Sequence, residues 1–405
     1  MYKINCRGCD GTNLKSVVSL GNSPLANNLL DSLTEEEKLY PLEMMYCSDC
    51  TNCQLSYVVP ASEMFDNYLY VSSTSKSFRE HFERAANAYV QMFNLNENSL
   101  VVDIGSNDGI ALKPFQSHGV KVVGVEPAKN VADIANQNNV ETLNEYFSTD
   151  TVETILQRYG QADVVTASNV FAHADGLEEI AHAAFKLLKS DGSFIIEVQY
   201  LLDTIKDLTF DNIYHEHVNY WSVTSLNNFF NRLGYRIYKV EHVDTHGGSI
   251  RVYVTNHTYD GILDNTVSNF LSKETAFGLR EWDTYTSFAQ RIEETKNNTR
   301  RNLRQLRDTG LRIVGYGSPA KATTVLNYYG ITTDELDYIV EDNALKHNKI
   351  VPSVRIPIYS KEKLKEVKPD IILVMAWNFF DEIKKNNQDL IEQGIQVINI
   401  KELST

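Results

Sequence analysis

The chain has 405 residues, 42% of them apolar and 22% charged, the balance of a globular protein long enough for two or three domains. Its 53 acidic against 38 basic residues give a net charge of −15, which opposes a phosphate backbone and excludes a general nucleic-acid binder. No run approaches the ~18 apolar residues of a membrane-spanning helix, and the N-terminus has no basic-then-apolar signal pattern, so a cytoplasmic protein with no membrane contact is expected.

All five cysteines lie at or before Cys53. Cys6-Arg-Gly-Cys9 and Cys47-Ser-Asp-Cys50 are two C-x2-C pairs, and each can present two thiolates to one tetrahedral Zn2+. The 37 residues between the pairs exceed a nucleic-acid finger's spacing, so a structural long-loop clamp is expected, with Cys53 as a further candidate in the second cluster. A segment this short cannot bury enough apolar surface to stand alone. From Lys76 to about Phe93, apolar residues at Phe78, Phe82, Ala85, Ala86, Tyr89 and Phe93 recur at helical spacing and predict an amphipathic helix.

Strands are predicted at Ser99–Gly105, Val122–Glu126, Asp163–Ala167 and Gly192–Val198, with helical patterns between them such as Leu177–Lys189. This alternation indicates βαβ units and a parallel sheet. Gly234–Glu241 and Ser249–Thr255 alternate and read as added edge strands. Residues 264–309 are polar and helix-favouring, and then a second α/β pattern begins with Leu311–Gly317, Tyr338–Asp342, Ile371–Ala376 and Val397–Ile400. The expected fold class is α/β: a small zinc-binding module at 1–66, a central Rossmann-like domain at 67–263, which the motifs below assign to a methyl donor, and a C-terminal Rossmann-like domain at 264–405, assigned below to the substrate.

The first glycine turn, Asp103-Ile-Gly105-Ser-Asn107-Asp108-Gly109, ends a strand, and Glu126 ends the next. A turn of this kind lets the backbone approach a ligand, and an acid at the second position accepts both ribose hydroxyls of an adenosine. Asp103 and Asp108 would repel a pyrophosphate but suit the ammonium and sulfonium of S-adenosylmethionine. Asn169 and His173 follow the third strand at the ligand-binding edge, and Asn144, Tyr146 and Phe147 lie where an aromatic could cover adenine. Tyr214-His215-Glu216-His217 has its histidines two apart, which excludes the four-residue spacing of a zinc protease. A group of His, Glu and Tyr near a methyl donor suits proton abstraction. His246-Gly-Gly-Ser-Ile-Arg251 fits a ligand phosphate or a tight turn, and Gly315-Tyr316-Gly317 with Lys321 reads as a second nucleotide-type turn.

Taken together with Ser23-Pro-Leu-Ala-Asn27, Pro41-Leu42, Gln54-Leu55 and Tyr68-x-Tyr70-x-Ser72-Ser73, these motifs resemble the zinc-containing, S-adenosylmethionine-dependent C-methyltransferases of nucleotide-linked keto-deoxysugars, the tetronitrose C-3 methyltransferase type. The resemblance spans nearly the whole chain. It implies a structural zinc on Cys6, Cys9, Cys47 and Cys50, with Cys53 at a usually apolar position. It also implies His217 as the base, with Glu216, Tyr214, His173 and Tyr68 around it, and Tyr70, Ser72 and Ser73 near the nucleotide. Tyr316, Lys321, His246 and Arg251 are then expected toward the substrate, with Lys321 on its diphosphate. The expected reaction is methylation alpha to the ketone, at C-3, of a nucleotide 4-keto-deoxysugar through an enolate. An O- or N-methyltransferase on a related sugar and an inactive nucleotide-binding scaffold are the rivals, and the chain is expected to be a monomer or weak oligomer.

Overall fold

In the computed structural model, residues 1–65, 72–245, 247–256 and 264–404 are described; Tyr68, Tyr70 and His246 lie outside them. The N-terminal segment forms an antiparallel sheet of β1 (Leu14–Pro24), β2 (Leu39–Cys47) and β3 (Cys53–Leu55). β1 and β2 run from Leu14 opposite Cys47 to Pro24 opposite Leu39. Leu42, Met44 and Tyr46 alternate along β2 and are all buried, the period of two that gives one strand face to a core. These few residues do not close a core by themselves, and they pack into one continuous with the rest of the chain.

The predicted amphipathic helix is Lys76–Met92. Ser75 caps it by accepting the Phe78 N–H, and its buried face is His81, Phe82, Ala85, Ala86 and Tyr89. It leads to β4 (Leu100–Ile104), β5 (Lys121–Val125), β6 (Thr142–Leu143), β7 (Ala162–Ser168) and β8 (Leu188–Gln199). Every residue of β4 is buried, as expected of a parallel strand covered on both faces. After β9 (Asn219–Tyr220) come β10 (Tyr235–Val243) and β11 (Ser249–Asn256). The central sheet has the order β10-β11-β8-β7-β4-β5-β6: its first five strands in sequence are parallel, and β11 and β10 extend it antiparallel.

β9 leaves this sheet. It pairs with β3, Cys53 opposite Tyr220 and Gln54 opposite Asn219, and so becomes the fourth strand of the N-terminal sheet. The polar stretch after residue 264 forms two helices, Thr266–Phe277 and Trp282–Asp308. The second lies against the N-terminal sheet, with the Tyr285 and Tyr46 rings 4.2 Å apart. The C-terminal unit has β12 (Ile313–Tyr316), β13 (Ile339–Val340), β14 (Ile358–Tyr359), β15 (Ile371–Val374) and β16 (Gln396–Asn399) in the order β14-β13-β12-β15-β16. All its pairings are parallel. Thr323 Oγ donates to the Ala26 carbonyl at 2.9 Å, tying this unit back to the N-terminal one. Among the described residues no helix is long and apolar enough to cross a membrane.

Candidate active site

The four expected cysteine ligands converge. Cys6, Cys9, Cys47 and Cys50 place their sulfurs within 4.8 Å of one another, with Cys6 to Cys50 at 3.5 Å and Cys9 to Cys47 at 3.7 Å. Four thiolates about 2.3 Å from one ion in a tetrahedron stand nearly this far apart, so the donor set fits zinc and leaves no position for a reacting water. The Gly8 N–H donates to the Cys6 sulfur at 3.3 Å. Cys53 is not in the cluster: it is fully buried on β3 in the hydrophobic core. Asn52, beside the second pair, exchanges amide hydrogen bonds with Asn219 at 2.8 and 3.0 Å. Arg7, inside the first pair, reaches the Leu55 and Val218 carbonyls. The cysteine cluster is therefore built into the segment that carries His217.

At the end of β4 the chain turns through Gly105, whose φ is +65° and whose N–H donates to the Val125 carbonyl at 2.8 Å. A Cβ at this position would lie 2.4 Å from Val170 Cγ2, so both conformation and space require glycine. Gly109 also has a positive φ, +82°. Glu126 accepts the Asn107 N–H at 2.9 Å and the Ala128 N–H at 2.8 Å, and Asn144 donates to the Glu126 and Pro127 carbonyls. Asp103 is 3% exposed and accepts the Thr166 hydroxyl at 2.6 Å. Burial pushes its carboxyl up to about 7, with Thr166 opposing and Glu126 adding.

Ser72 and Ser73 donate their N–H groups to Asn107 and Asp108 at 3.0 and 3.2 Å, so that segment docks on the glycine turn. Asp108 Oδ1 and Asn169 Oδ1 are buried without a hydrogen-bond partner among the described residues. Two orphaned acceptors beside a glycine turn fit the donors of an aminoacyl group. Tyr146 is exposed and Phe147 buried, and both line the cleft over this turn.

The histidine loop supplies the second part. The Asn212 carbonyl lies 2.7 Å from His217 Nδ1. A carbonyl only accepts, so Nδ1 carries the proton and Nε2 keeps its lone pair. Nε2 receives the Tyr214 hydroxyl at 2.8 Å and the Gln199 amide at 3.3 Å. His173 lies beside it, ring centroids 4.9 Å apart, and burial pushes His173 down to about 4, which keeps it neutral. Glu216 accepts the Asn27 amide at 2.5 Å. His215 is buried against the Tyr40 carbonyl, 3.3 Å away, a packing position.

The C-terminal unit repeats the turn chemistry with other charges. The Gly317 N–H donates to the Val340 carbonyl, and Glu341 accepts the Ser318 N–H at 2.7 Å and the Asn343 N–H at 3.0 Å. The Tyr316 hydroxyl donates to Asp342 at 3.0 Å. Lys321 Nζ lies 4.8 Å and Lys401 Nζ 3.6 Å from the Trp377 ring centre, and the Trp377 indole donates to Asp211 at 2.5 Å. Burial lowers the Lys321 pKa, Asp211 opposing and Lys401 adding to the fall. Lys346 donates to the Ser318 carbonyl at 2.7 Å. Arg251 sits differently: it is buried against Glu197 at 2.8 Å and Glu241 at 3.4 Å, so its charge is already engaged by carboxylates of the central unit.

One cleft of about 2500 Å³ joins these parts, lined by Asp103, Gly105, Glu126, His173, His217, Lys321 and Trp377 among others. Gln199, Asn212, Lys401 and Trp377 were not singled out by sequence. The signal available for Gln199 was its place at the carboxyl end of a parallel strand, where such sheets bind ligands.

Three family models match in succession: "Putative zinc binding domain" over residues 6–65, "Methyltransferase domain" over 78–240 and "C-methyltransferase C-terminal domain" over 244–400. The C-methyltransferase NovU of Streptomyces niveus is 36% identical over 391 residues, 96% of this chain and 93% of that protein. The ubiquinone biosynthesis O-methyltransferase of Hydrogenovibrio crunogenus is 28% identical over 109 residues, 26% of this chain and 44% of that protein. A crystal structure of magnesium protoporphyrin IX methyltransferase from Synechocystis PCC 6803 with bound SAH covers 44% of this chain and 82% of its own at 14% identity, with a TM-score of 0.35. With one C-methyltransferase aligned along nearly its full length, and a cysteine cluster, a methyltransferase sheet and a second α/β unit in that order, the chain belongs to the S-adenosylmethionine-dependent C-methyltransferase family.

Proposed function

We propose that this enzyme methylates the carbon alpha to the ketone, C-3, of a nucleotide-linked 4-keto-deoxysugar. The observation that carries the proposal is the fixed tautomer of His217, whose Nε2 is an acceptor, on the wall of a cleft lined also by the glycine turn and by Trp377 with its two lysines. A hydrogen beside a ketone is a weak acid, so its removal needs a positioned base and a stabilised enolate. His217 Nε2 takes that proton, and the Asn212 carbonyl stabilises the Nδ1–H of the imidazolium that results. Tyr214 holds the ring by hydrogen bond and by a tilted ring contact, with centroids 4.0 Å apart. Glu216 and His173 line the cleft beside it, and Tyr68 is assigned to the same step in this proposal.

Asp103, Gly105, Asn107, Asp108, Gly109, Glu126, Asn144, Tyr146, Phe147 and Asn169 hold S-adenosylmethionine, which when bound supplies the electrophilic methyl. Lys321 meets the substrate diphosphate in this proposal, its ammonium set beside the Trp377 indole face on the cleft wall. Tyr70, Ser72, Ser73, His246 and Tyr316 are assigned to the substrate side, and Arg251, paired with Glu197 and Glu241, is not. The four cysteines hold a structural Zn2+, and the reducing cytoplasm suits their thiolate form.

The test is solvent deuterium exchange. Incubated in D2O with a panel of 4-keto-sugar nucleotides and no methyl donor, the protein should wash deuterium into C-3, because only a carbon acid exchanges there. His217→Asn should bind both ligands as before and lose exchange by about 100-fold or more. Exchange by the variant at the parental rate would remove His217 as the base, and methyl transfer without any exchange would favour an oxygen or nitrogen acceptor.

A further inference from the structure

β8 ends at the cleft, and Glu197 and Gln199, two residues apart, lie on the same face of it. Glu197 is locked by Arg251 at 2.8 Å and His81 at 2.9 Å. Gln199 is bonded otherwise. Its side-chain nitrogen is 3.3 Å from His217 Nε2, it lines the cleft, and its other amide hydrogen meets no partner among the described residues. Tyr214 has one hydroxyl hydrogen, directed at the same Nε2. Gln199 has two amide hydrogens.

We infer that Gln199 is a catalytic residue that donates to the enolate oxygen. The inference rests on the carbon-acid reading above. The abstracted proton and the carbonyl oxygen sit on adjacent atoms of the substrate, so base and oxyanion donor must be neighbours, as His217 Nε2 and the Gln199 amide are. In the step, the C-3–H bond breaks, its proton goes to Nε2 and its electron pair forms the C-3–C-4 double bond. The carbonyl π pair moves onto oxygen, which becomes the anion. The single Nε2 lone pair cannot hold the Tyr214 and Gln199 donors and take the C-3 proton together, so the bound keto-sugar draws the Gln199 amide onto its carbonyl oxygen before the transfer, and that hydrogen bond strengthens as charge develops there in the transition state.

The test compares Gln199→Leu and Gln199→Glu with the parent in the deuterium exchange assay, with calorimetric affinities for cofactor and keto-sugar nucleotide alongside. Both variants should fold, bind both ligands within about threefold of the parent and lose exchange about 100-fold, the scale for deleting one oxyanion donor. Glu conserves shape, and its carboxylate accepts without donating. In a second measurement, the 13C signal of a labelled C-4 carbonyl bound to Gln199→Leu should move toward its free position. Exchange by both variants within about threefold of the parent, or an unmoved carbonyl signal, overturns the assignment of Gln199 alone. A parent that exchanges no keto-sugar overturns the carbon-acid reading and this assignment with it.

Discussion

The carboxyl of Asp103 provides the sharpest quantitative handle on the proposed cofactor site. It is 3% exposed, and its one described hydrogen bond comes from the Thr166 hydroxyl, which replaces only part of the hydration of a charged carboxylate. Burial is therefore the leading cause that pushes it from 3.8 to about 7. The raised value means the folded protein holds this proton more tightly than the unfolded chain. The stabilising contribution of the protonated form is full below the unfolded value near 4 and is lost as pH rises through about 7. Spanning about three pH units at about 1.4 kcal/mol each, it amounts to about 4 kcal/mol in the empty protein. On the proposed reading, the positive charges of S-adenosylmethionine favour the ionised carboxyl, so binding releases the proton. The carboxyl is about 10% ionised at pH 6 and about 90% at pH 8, so cofactor affinity should fall about tenfold from pH 8 to pH 6. Isothermal titration in buffers of different ionisation enthalpy reads both affinity and proton release. The ligand's own ionisation cancels in the ratio to Asp103→Asn, whose pH dependence should lack this tenfold component. A parent-to-variant ratio that stays constant across pH 6 to 8 would refute the reasoning.

The cysteine cluster and the C-terminal cleft wall make two further predictions. Stripping the metal with a chelator, or changing Cys47→Ser, should loosen β9 and with it His217, two residues before that strand, because β9 is held by β3 and by Asn52. Turnover should fall about 100-fold, the cost of a misplacement near 1 Å, while cofactor affinity stays within about twofold; zinc release followed with a chromogenic chelator reports occupancy, and equal loss of cofactor binding would count against the link. Trp377→Ala removes the ring beside both Lys321 and Lys401 and should raise KM for the nucleotide sugar about tenfold with kcat changed less than about twofold, since the loss is of uniform binding. A fall in kcat at unchanged KM would place Trp377 with the chemistry instead.

How much of this was legible in the sequence depended on whether the signal was local. Gly105 announces itself because its φ of +65° and the 2.4 Å approach of Val170 admit no side chain. The helix Lys76–Met92 follows from its apolar spacing and its Ser75 cap. The cysteine pairs were legible because each is a short turn carrying two ligands. Arg251 looked in sequence like a free cation beside two glycines. Only the register of β11 against β8, which sets Arg251 opposite Glu197, reveals the ion pair that engages it, and pairing register over 54 residues leaves no mark in a short motif. The orienting partner of His217 is a backbone carbonyl, which any residue at position 212 would supply, so composition could not disclose it. β9 is two residues long and finds its partner far upstream, below any periodicity.

The two α/β units use one backbone device for opposite ends. In each, the glycine after the first strand donates to the carbonyl that ends the second, Gly105 to Val125 and Gly317 to Val340. The acid that follows, Glu126 or Glu341, takes one N–H from the turn and one from two residues beyond itself. These bonds fix the backbone alone and leave the choice of ligand to the surrounding charges. Around the first turn stand Asp103 and Asp108, carboxylates suited to a cation; around the second stand Lys321 and Lys346, with Lys401 against the same indole as Lys321. On the proposed reading, the methyl donor sits at the first turn and the anionic end of the sugar nucleotide meets the lysines of the second. His217 lies in the same cleft as both turns, on a loop whose downstream end is a strand of the cysteine module. Under the proposed function, the division of charge between two turns of like geometry orients the two reactants in that cleft, and the N-terminal module holds the base where they meet.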